Sequence, residues 1–462
     1  MIHSDNNKRV FASINPYNNV LLKQYAEINE HELIVKINVA HQAFEIWKNT
    51  TFEHRANLIL KVAEILLANK EEFAQYITLE MGKPITESVA EIVKCTSACE
   101  HFANNAATYL QDEIVKTDAS ISYNTHEPLG VILGIMPWNF PFWQVFRFAV
   151  PALMAGNTVL LKHAPGVPQC AELVESIFIK AGFHEGIFQN LFISEEAVKT
   201  VIENSKVKMV SLTGSERAGA AVAAITGSNI KRSVLELGGS DPFIVLKDAN
   251  INEAATWAVK ARFQNSGQSC IAGKRFIVEK ELVQPFTELV LQQVQQLVVG
   301  NPIEATTNIG PLANEQQAIA IHNQIERAIA EGAHLLYGGN RPSKTGAFVN
   351  PTILTNIKPG MIPFEEEIFG PVMSIIEAEN ETHAIELANS TKFGLGASLW
   401  TTDIGKAKIL AKEIGAGAVF INAMVKSDPR MPFGGINASG YGKELGSYGI
   451  KEFVNTKSIC IN

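Results

Sequence analysis

The chain has 462 residues, more than one ordinary hydrophobic core holds, so two or three domains are expected. A hydrophobic share of 46% with 19% charged residues excludes a disordered or fibrous chain, and a formal charge of -8 argues against nucleic acid or an anionic membrane as a partner. Residues 1–17 lack the apolar stretch of a secretory signal, no apolar run is long enough to span a bilayer, and five cysteines at irregular positions (95, 99, 170, 270 and 460) fit a reducing cytoplasm better than a disulfide framework.

Helical spacing of apolar residues runs over 31–50, with Val35, Ile37, Val39, Phe44 and Trp47 expected on the inner face, and again over 54–80 and 86–110. Cys95 and Cys99 share a face of the last of these, without nearby histidine, so they read as buried small residues rather than metal ligands, and no metal site is expected. Residues 113–130 alternate and are rich in β-formers, which predicts a hairpin. From 131 onward short apolar strands (131–135, 158–162, 188–193, 207–213, 232–237) alternate with helices near 168–181, 195–204 and after Ser215. That alternation predicts a doubly wound parallel sheet. A second alternation follows, with helices near 250–264, 281–297, 314–331, 381–390 and 404–413 and strands near 275–279, 372–377, 396–401 and 416–421.

Three segments carry chemistry. FQNSGQSCIAG (263–273) sets Cys270 among small polar residues just after a helix, where a substrate can approach the sulfur and backbone N–H groups can stabilise a thiolate or an oxyanion. LELGGSDP (235–242) puts Glu236 at the end of a parallel strand, the edge at which α/β folds bind ligands, followed by two glycines that permit close backbone approach. GIMPWNFPFWQVFR (134–147) holds Asn139 between two prolines, a rigid setting that suits an oxyanion donor. Taken singly, each has a plain structural alternative: a buried cysteine, a helix-capping glutamate, an asparagine bonded to its own turn.

Together with EEIFGPV (366–372) and the C-terminal PFGGINASGYGKE (432–444), these strings, in this order, resemble the aldehyde dehydrogenase superfamily over essentially the whole chain, and KHAP (162–165), LELGGSDPFIV (235–245) and SDPRMPFGG (427–435) are most similar to its succinate-semialdehyde dehydrogenase branch. The resemblance implies an α/β fold of two doubly wound parallel-sheet domains plus a small β oligomerisation hairpin. The cofactor-binding domain is expected over 1–112 and 131–244, the catalytic domain over 245–430, and oligomerisation elements over 113–130 and 431–462. It implies Cys270 as nucleophile, Glu236 as general base and Asn139 as oxyanion donor. It assigns NAD or NADP to Met136, Pro137, Trp138, Lys162, Ala164, Pro165, Gly214, Ser215, Leu237, Glu367 and Phe369. A thiolate adds to the aldehyde, hydride leaves for the nicotinamide, and water activated by Glu236 hydrolyses the thioester.

TGSERAGA (213–220) departs from the usual dinucleotide fingerprint, but its helix start still suits a pyrophosphate. In KHAP (162–165), Pro165 stands where the family often has an acid that repels a 2′-phosphate. Both cofactors are therefore open, NAD modestly favoured, with His163 able to add partial positive charge. Arg147, in an apolar stretch, is expected to clamp a substrate carboxylate, the alternative being a salt bridge to a structural carboxylate. Ser427 and Arg430 are expected to line the same pocket. The branch often has a second arginine at the position of Gln264, and Arg262 is out of register to replace it. Gln268 rules out a redox disulfide beside Cys270. The expected activity is oxidation of succinate semialdehyde by a cytoplasmic homodimer or homotetramer. The alternatives are oxidation of another aliphatic or aromatic aldehyde, a CoA-acylating relative (disfavoured by Glu236) and a non-catalytic protein retaining the fold.

Overall fold

The computed structural model describes residues 9–342 and 345–462. Its first sheet has six strands, in the order Gly440–Tyr441, Arg232–Glu236, Val207–Thr213, Val131–Met136, Thr158–His163 and Phe188–Asn190. All neighbours are parallel except the first pair. Val131–Met136 is the earliest of the long strands and has later strands on both sides, so the chain crosses over in both directions from it. The crevice at its carboxyl end is the switch point where α/β sheets take ligands. The PWNFP loop and the TGS turn both leave the sheet there.

The helix that follows, Trp143–Met154, lies flat on this sheet and is buried along its whole length. Gly134 makes that approach feasible, because a Cβ at 134 would collide with the Phe148 ring. Four helices, Glu30–Trp47, Phe52–Ala68, Lys70–Met81 and Ile85–Tyr109, close the cofactor-side core. The single helical run expected over 54–80 is two helices, broken at Asn69, and Gly82 ends the second in a left-handed conformation at φ +80°. Val35 faces solvent instead of the core, whereas Ile37 and Trp47 are buried. The hairpin Val10–Asn15 and Val20–Ala26, turned at Asn19 with φ +61°, had no expectation attached to it.

The second sheet has seven strands, in the order His334–Tyr337, Thr352–Thr355, Val372–Ala378, Gly273–Glu279, Asp241–Val245, Gly396–Trp400 and Ala418–Ile421, with only the first pair antiparallel. The first sheet thus ends at Glu236 and the second starts at Asp241, a few residues before the expected boundary at 244. The C-terminal segment is also divided. Gly440–Tyr441 joins the first sheet, and only Val454–Ile461 enters a separate three-stranded sheet, pairing with Ile121–Pro128, whose other edge takes Glu113–Ile114. Among the described residues no helix is long and apolar enough to cross a membrane.

Candidate active site

The PWNFP loop is held from beneath. The Glu91 carboxylate accepts the Phe142 and Trp143 N–H groups, each at 2.9 Å. It is also paired with Lys83, and both side chains are fully buried. The Lys83 ammonium lies 3.7 Å from the Phe140 ring centre. His163 is turned inward: its Nε2–H donates to the Pro141 carbonyl at 2.8 Å while Nδ1 accepts the Ala164 N–H. Burial pushes this imidazole down to about 4, so it stays neutral and does not supply the positive charge expected beside the ribose. In the loop so fixed, Asn139 Nδ2 donates to the Gln268 carbonyl at 3.1 Å, and the Asn139 carbonyl accepts from Asn265 Nδ2 at 2.8 Å. The Asn139 loop and the cysteine loop are therefore bonded to each other directly.

The cysteine loop is built from three consecutive left-handed residues, Asn265 (φ +55°), Ser266 (φ +52°) and Gly267 (φ +75°). Two non-glycine residues in that region store strain, which surrounding contacts must hold. The Asn265 N–H donates to Glu87 Oε2 at 2.6 Å, and Ser266 Oγ donates to the Gly310 carbonyl. A Cβ at 267 would collide with the Gly370 carbonyl, so the EEIFGPV segment packs directly on this turn. Lys274 binds the far side, donating to the carbonyls of Ser269 (3.0 Å) and Cys270 (2.7 Å) and pairing with Glu367 at 2.9 Å. Gln268 is buried and accepts the Ala313 N–H.

Cys270 stands between two cavities and lines both. Burial pushes its thiol up to about 11, against the opposing pull of Arg147 and Lys274. The cavity on one side is lined by Pro137, Trp138, Asn139, Gly214, Ser215, Leu237, Glu367 and Phe369, all expected from the sequence. Trp138 and Phe369 meet edge to face across it. The helix Glu216–Ser228 starts at this cavity, capped by Ser215. Its unpaired N–H groups suit a pyrophosphate. Asn139 Oδ1 is buried with no partner, which leaves an acceptor for a bound group. These residues fit a nicotinamide dinucleotide. Met136 is buried in the core instead of lining this cavity. A further cavity, lined by Lys162 and Pro165 with Arg9, Glu195 and Glu196, suits the adenosine end. Ala164 is half-buried against the core.

The cavity on the other side of Cys270 is lined by Phe140, Trp143, Arg147, Gln264, Ser427 and Phe433, among others. Arg147 and Ser427 are thus where the sequence put them, but Arg147 is engaged. Its Nε pairs with Glu444, Nη2 donates to Thr213 Oγ1 at 3.1 Å, and the guanidinium stacks on Phe433. Arg430 lies outside: its side chain is 75% exposed and is folded onto Asp428. The Asp428 carboxylate accepts from its Nε at 2.8 Å and its Nη2 at 2.6 Å, a local partner beside open solvent. Arg262 is buried and donates to the carbonyls of Ile368, Gly370 and Val372, so it does not stand in for the arginine absent at Gln264.

Glu236 lines neither cavity. Its carboxylate is buried with both oxygens unpartnered, pressed against Gly434 and close to Arg147 and Glu444. Burial raises its pKa well above the ordinary carboxylate range, only partly countered by Arg147. The expectation that it points into the crevice is therefore corrected. The backbone places it at the crevice edge, where its carbonyl accepts the Gly214 N–H, and the side chain is folded back.

The sequence model of the aldehyde dehydrogenase family matches residues 2–459. The chain belongs to that family. This aldehyde dehydrogenase is 48% identical over 450 residues to a probable succinate-semialdehyde dehydrogenase [NADP(+)] of Synechocystis sp., covering 97% of this chain and 99% of the relative. It is 44% identical over 453 residues, with the same coverage, to succinate-semialdehyde dehydrogenase [NADP(+)] 1 of Mycobacterium tuberculosis. A crystal structure of succinic semialdehyde dehydrogenase from Streptococcus pyogenes with NADP+ superposes with a TM-score of 0.96 at 36% identity, over 98% of this chain and 99% of that one.

Sequence reasoning missed three residues of this dehydrogenase's site. Glu444 stands in the quoted C-terminal motif, but only the fold brings it to Arg147. Lys274, four residues beyond the nucleophile, was within reach of inspection, since a lysine entering a buried strand needs partners. Lys94 lines the cavity holding Arg147, from a helix whose pattern marks it as one more surface lysine.

Proposed function

We propose that this enzyme oxidises succinate semialdehyde to succinate with NADP+, NAD+ being a poorer alternative. The observation that carries the reading is the position of Cys270 between the Trp138–Phe369 crevice and a second cavity with three cations, Lys94, Arg147 and Lys426, in its wall. The names of its close relatives support the same substrate and NADP+. The preference for NADP+ replaces the modest preference for NAD expected from sequence. It is supported by Pro165 and Lys162 facing the adenosine-side cavity, with no acid at position 165.

Bound, the nicotinamide supplies the hydride acceptor. Cys270 attacks the aldehyde carbon and carries the substrate as thiohemiacetal and then thioester. The Asn139 amide and the Cys270 N–H hold the developing oxyanion, each such donor being worth about 3–4 kcal/mol of barrier. Glu236 takes a proton from the water that hydrolyses the thioester, after its side chain rotates out of the niche beside Gly434. In that niche burial favours the protonated carboxyl, and leaving it for a hydrated crevice relieves that burial. Glu367, fixed by Lys274, and Phe369 hold the nicotinamide end.

A homodimer or homotetramer is supported by the exposed Ile114, Val115, Ile121 and Ile461 on and beside the three-stranded sheet. The five unpaired cysteines support a cytoplasmic setting. A steady-state panel of aldehydes with and without a terminal carboxylate, each with NAD+ and NADP+, tests the proposal. The highest kcat/KM should fall to succinate semialdehyde with NADP+, and equal efficiency on butanal would overturn the substrate assignment.

A further inference from the structure

Lys94 is a cation without a counter-ion. It projects from the helix Ile85–Tyr109 into the cavity that holds Cys270. Among the described residues no carboxylate lies within ion-pair distance of it. Its ammonium donates to Ser427 Oγ at 2.6 Å and lies 4.2 Å from the centre of the Trp143 ring. Trp143 Nε1 donates to the same Ser427 oxygen at 3.1 Å. Three groups from three distant parts of the chain thus converge on one point, with donors outnumbering acceptors.

The other buried charges on this wall are already neutralised, and Lys426, which also lines it, is exposed to solvent. Arg147 is paired with Glu444 and Glu91 with Lys83. Glu87 accepts the Asn265 N–H, and burial pushes its carboxyl up to about 7. A half-buried ammonium left unpaired is costly unless an anion completes it. Lys94 and Ser427 also line the adjoining outer pocket with His101, Lys426 and Arg430, so an incoming anion reaches them from solvent.

We propose that Lys94, with the Ser427 hydroxyl, binds the distal carboxylate of the substrate and is the main determinant of preference for an acidic semialdehyde. It supplies the positive charge that Gln264, on the same cavity wall, lacks. Arg147 then acts chiefly as a paired wall residue. This rests on the substrate reading above and goes further by assigning the residue that recognises the acid.

The test compares wild type, Lys94→Met and Lys94→Arg on succinate semialdehyde and butanal at saturating NADP+, with melting temperatures. Methionine keeps the stem that packs on Trp143 and removes only the charge. The expected result is a fall of at least tenfold in kcat/KM for succinate semialdehyde, mostly in KM, with butanal changed less than threefold. Arginine should restore most of the loss. If Lys94→Met lowers the melting temperature, Lys94→Gln is read in its place. A variant that keeps the wild-type preference, or loses both substrates by the same factor, overturns the assignment of Lys94 while leaving the substrate reading intact. A wild-type enzyme with no preference for the acid overturns the substrate reading and the role of Lys94 with it.

Discussion

Arg147 and Glu444 form an ion pair with side chains only 2% and 0% exposed, and Ser211 Oγ donates to the other Glu444 oxygen at 2.9 Å. The pair ties the helix Trp143–Met154 to the C-terminal segment beneath the reacting sulfur. Removing one member strands the other charge in the interior, which typically costs about 3–5 kcal/mol. Arg147→Ala should therefore lower the melting temperature and depress turnover of succinate semialdehyde and butanal alike. A selective loss on the acid, with an unchanged melting temperature, would instead make Arg147 the carboxylate clamp.

Desolvation raises the half-buried Cys270 thiol to about 11, so the nucleophilic thiolate is scarce at neutral pH. Inactivation of the apoenzyme by iodoacetamide should accelerate steadily with pH up to that value. A plateau near pH 7 would contradict the environment described for the sulfur.

Lys274 bonds two carbonyls of the cysteine loop and Glu367 at once. Charge-assisted bonds of this kind contribute about 1.5–3 kcal/mol each. Lys274→Met should weaken NADP+ binding and lower kcat together, each by about tenfold or more. Loss of kcat with unchanged NADP+ affinity would show that Glu367 is held by other contacts.

Pro165 and Lys162 face the same cavity. Pro165→Glu should cut kcat/KM with NADP+ by about an order of magnitude or more through like-charge repulsion of the 2′-phosphate, and leave NAD+ little changed. An unchanged ratio would mean that this loop does not meet the ribose.

Local pattern made most of this legible. The long strands and helices follow from spacing of apolar residues, Cys270 and Asn139 stand out in short strings of unusual composition, and the Trp138–Phe369 crevice follows only through the family resemblance of such strings. What escaped depends on contacts made across the fold. Lys94 meets Ser427 across 333 positions, and no helical pattern announces that. Glu236 sits at the strand end where it was expected, but its rotamer is set by Arg147 and Gly434, which arrive from elsewhere. Arg430 was placed by nearness in sequence to PFGG, yet a neighbouring aspartate and open solvent hold it outside. The strand Asp241–Val245 follows LELGG so closely that nothing in the composition marks the change of sheet.

The central claim is that Cys270 carries the substrate covalently and Glu236 releases it. Glu236→Gln mixed with succinate semialdehyde and NADP+, quenched in acid and digested for mass spectrometry, tests both halves at once. The account predicts one rapid equivalent of NADPH, slow turnover after it, and a succinyl group on the peptide bearing Cys270. NADPH formed with no adduct on that peptide, or with the adduct on another cysteine, would contradict it.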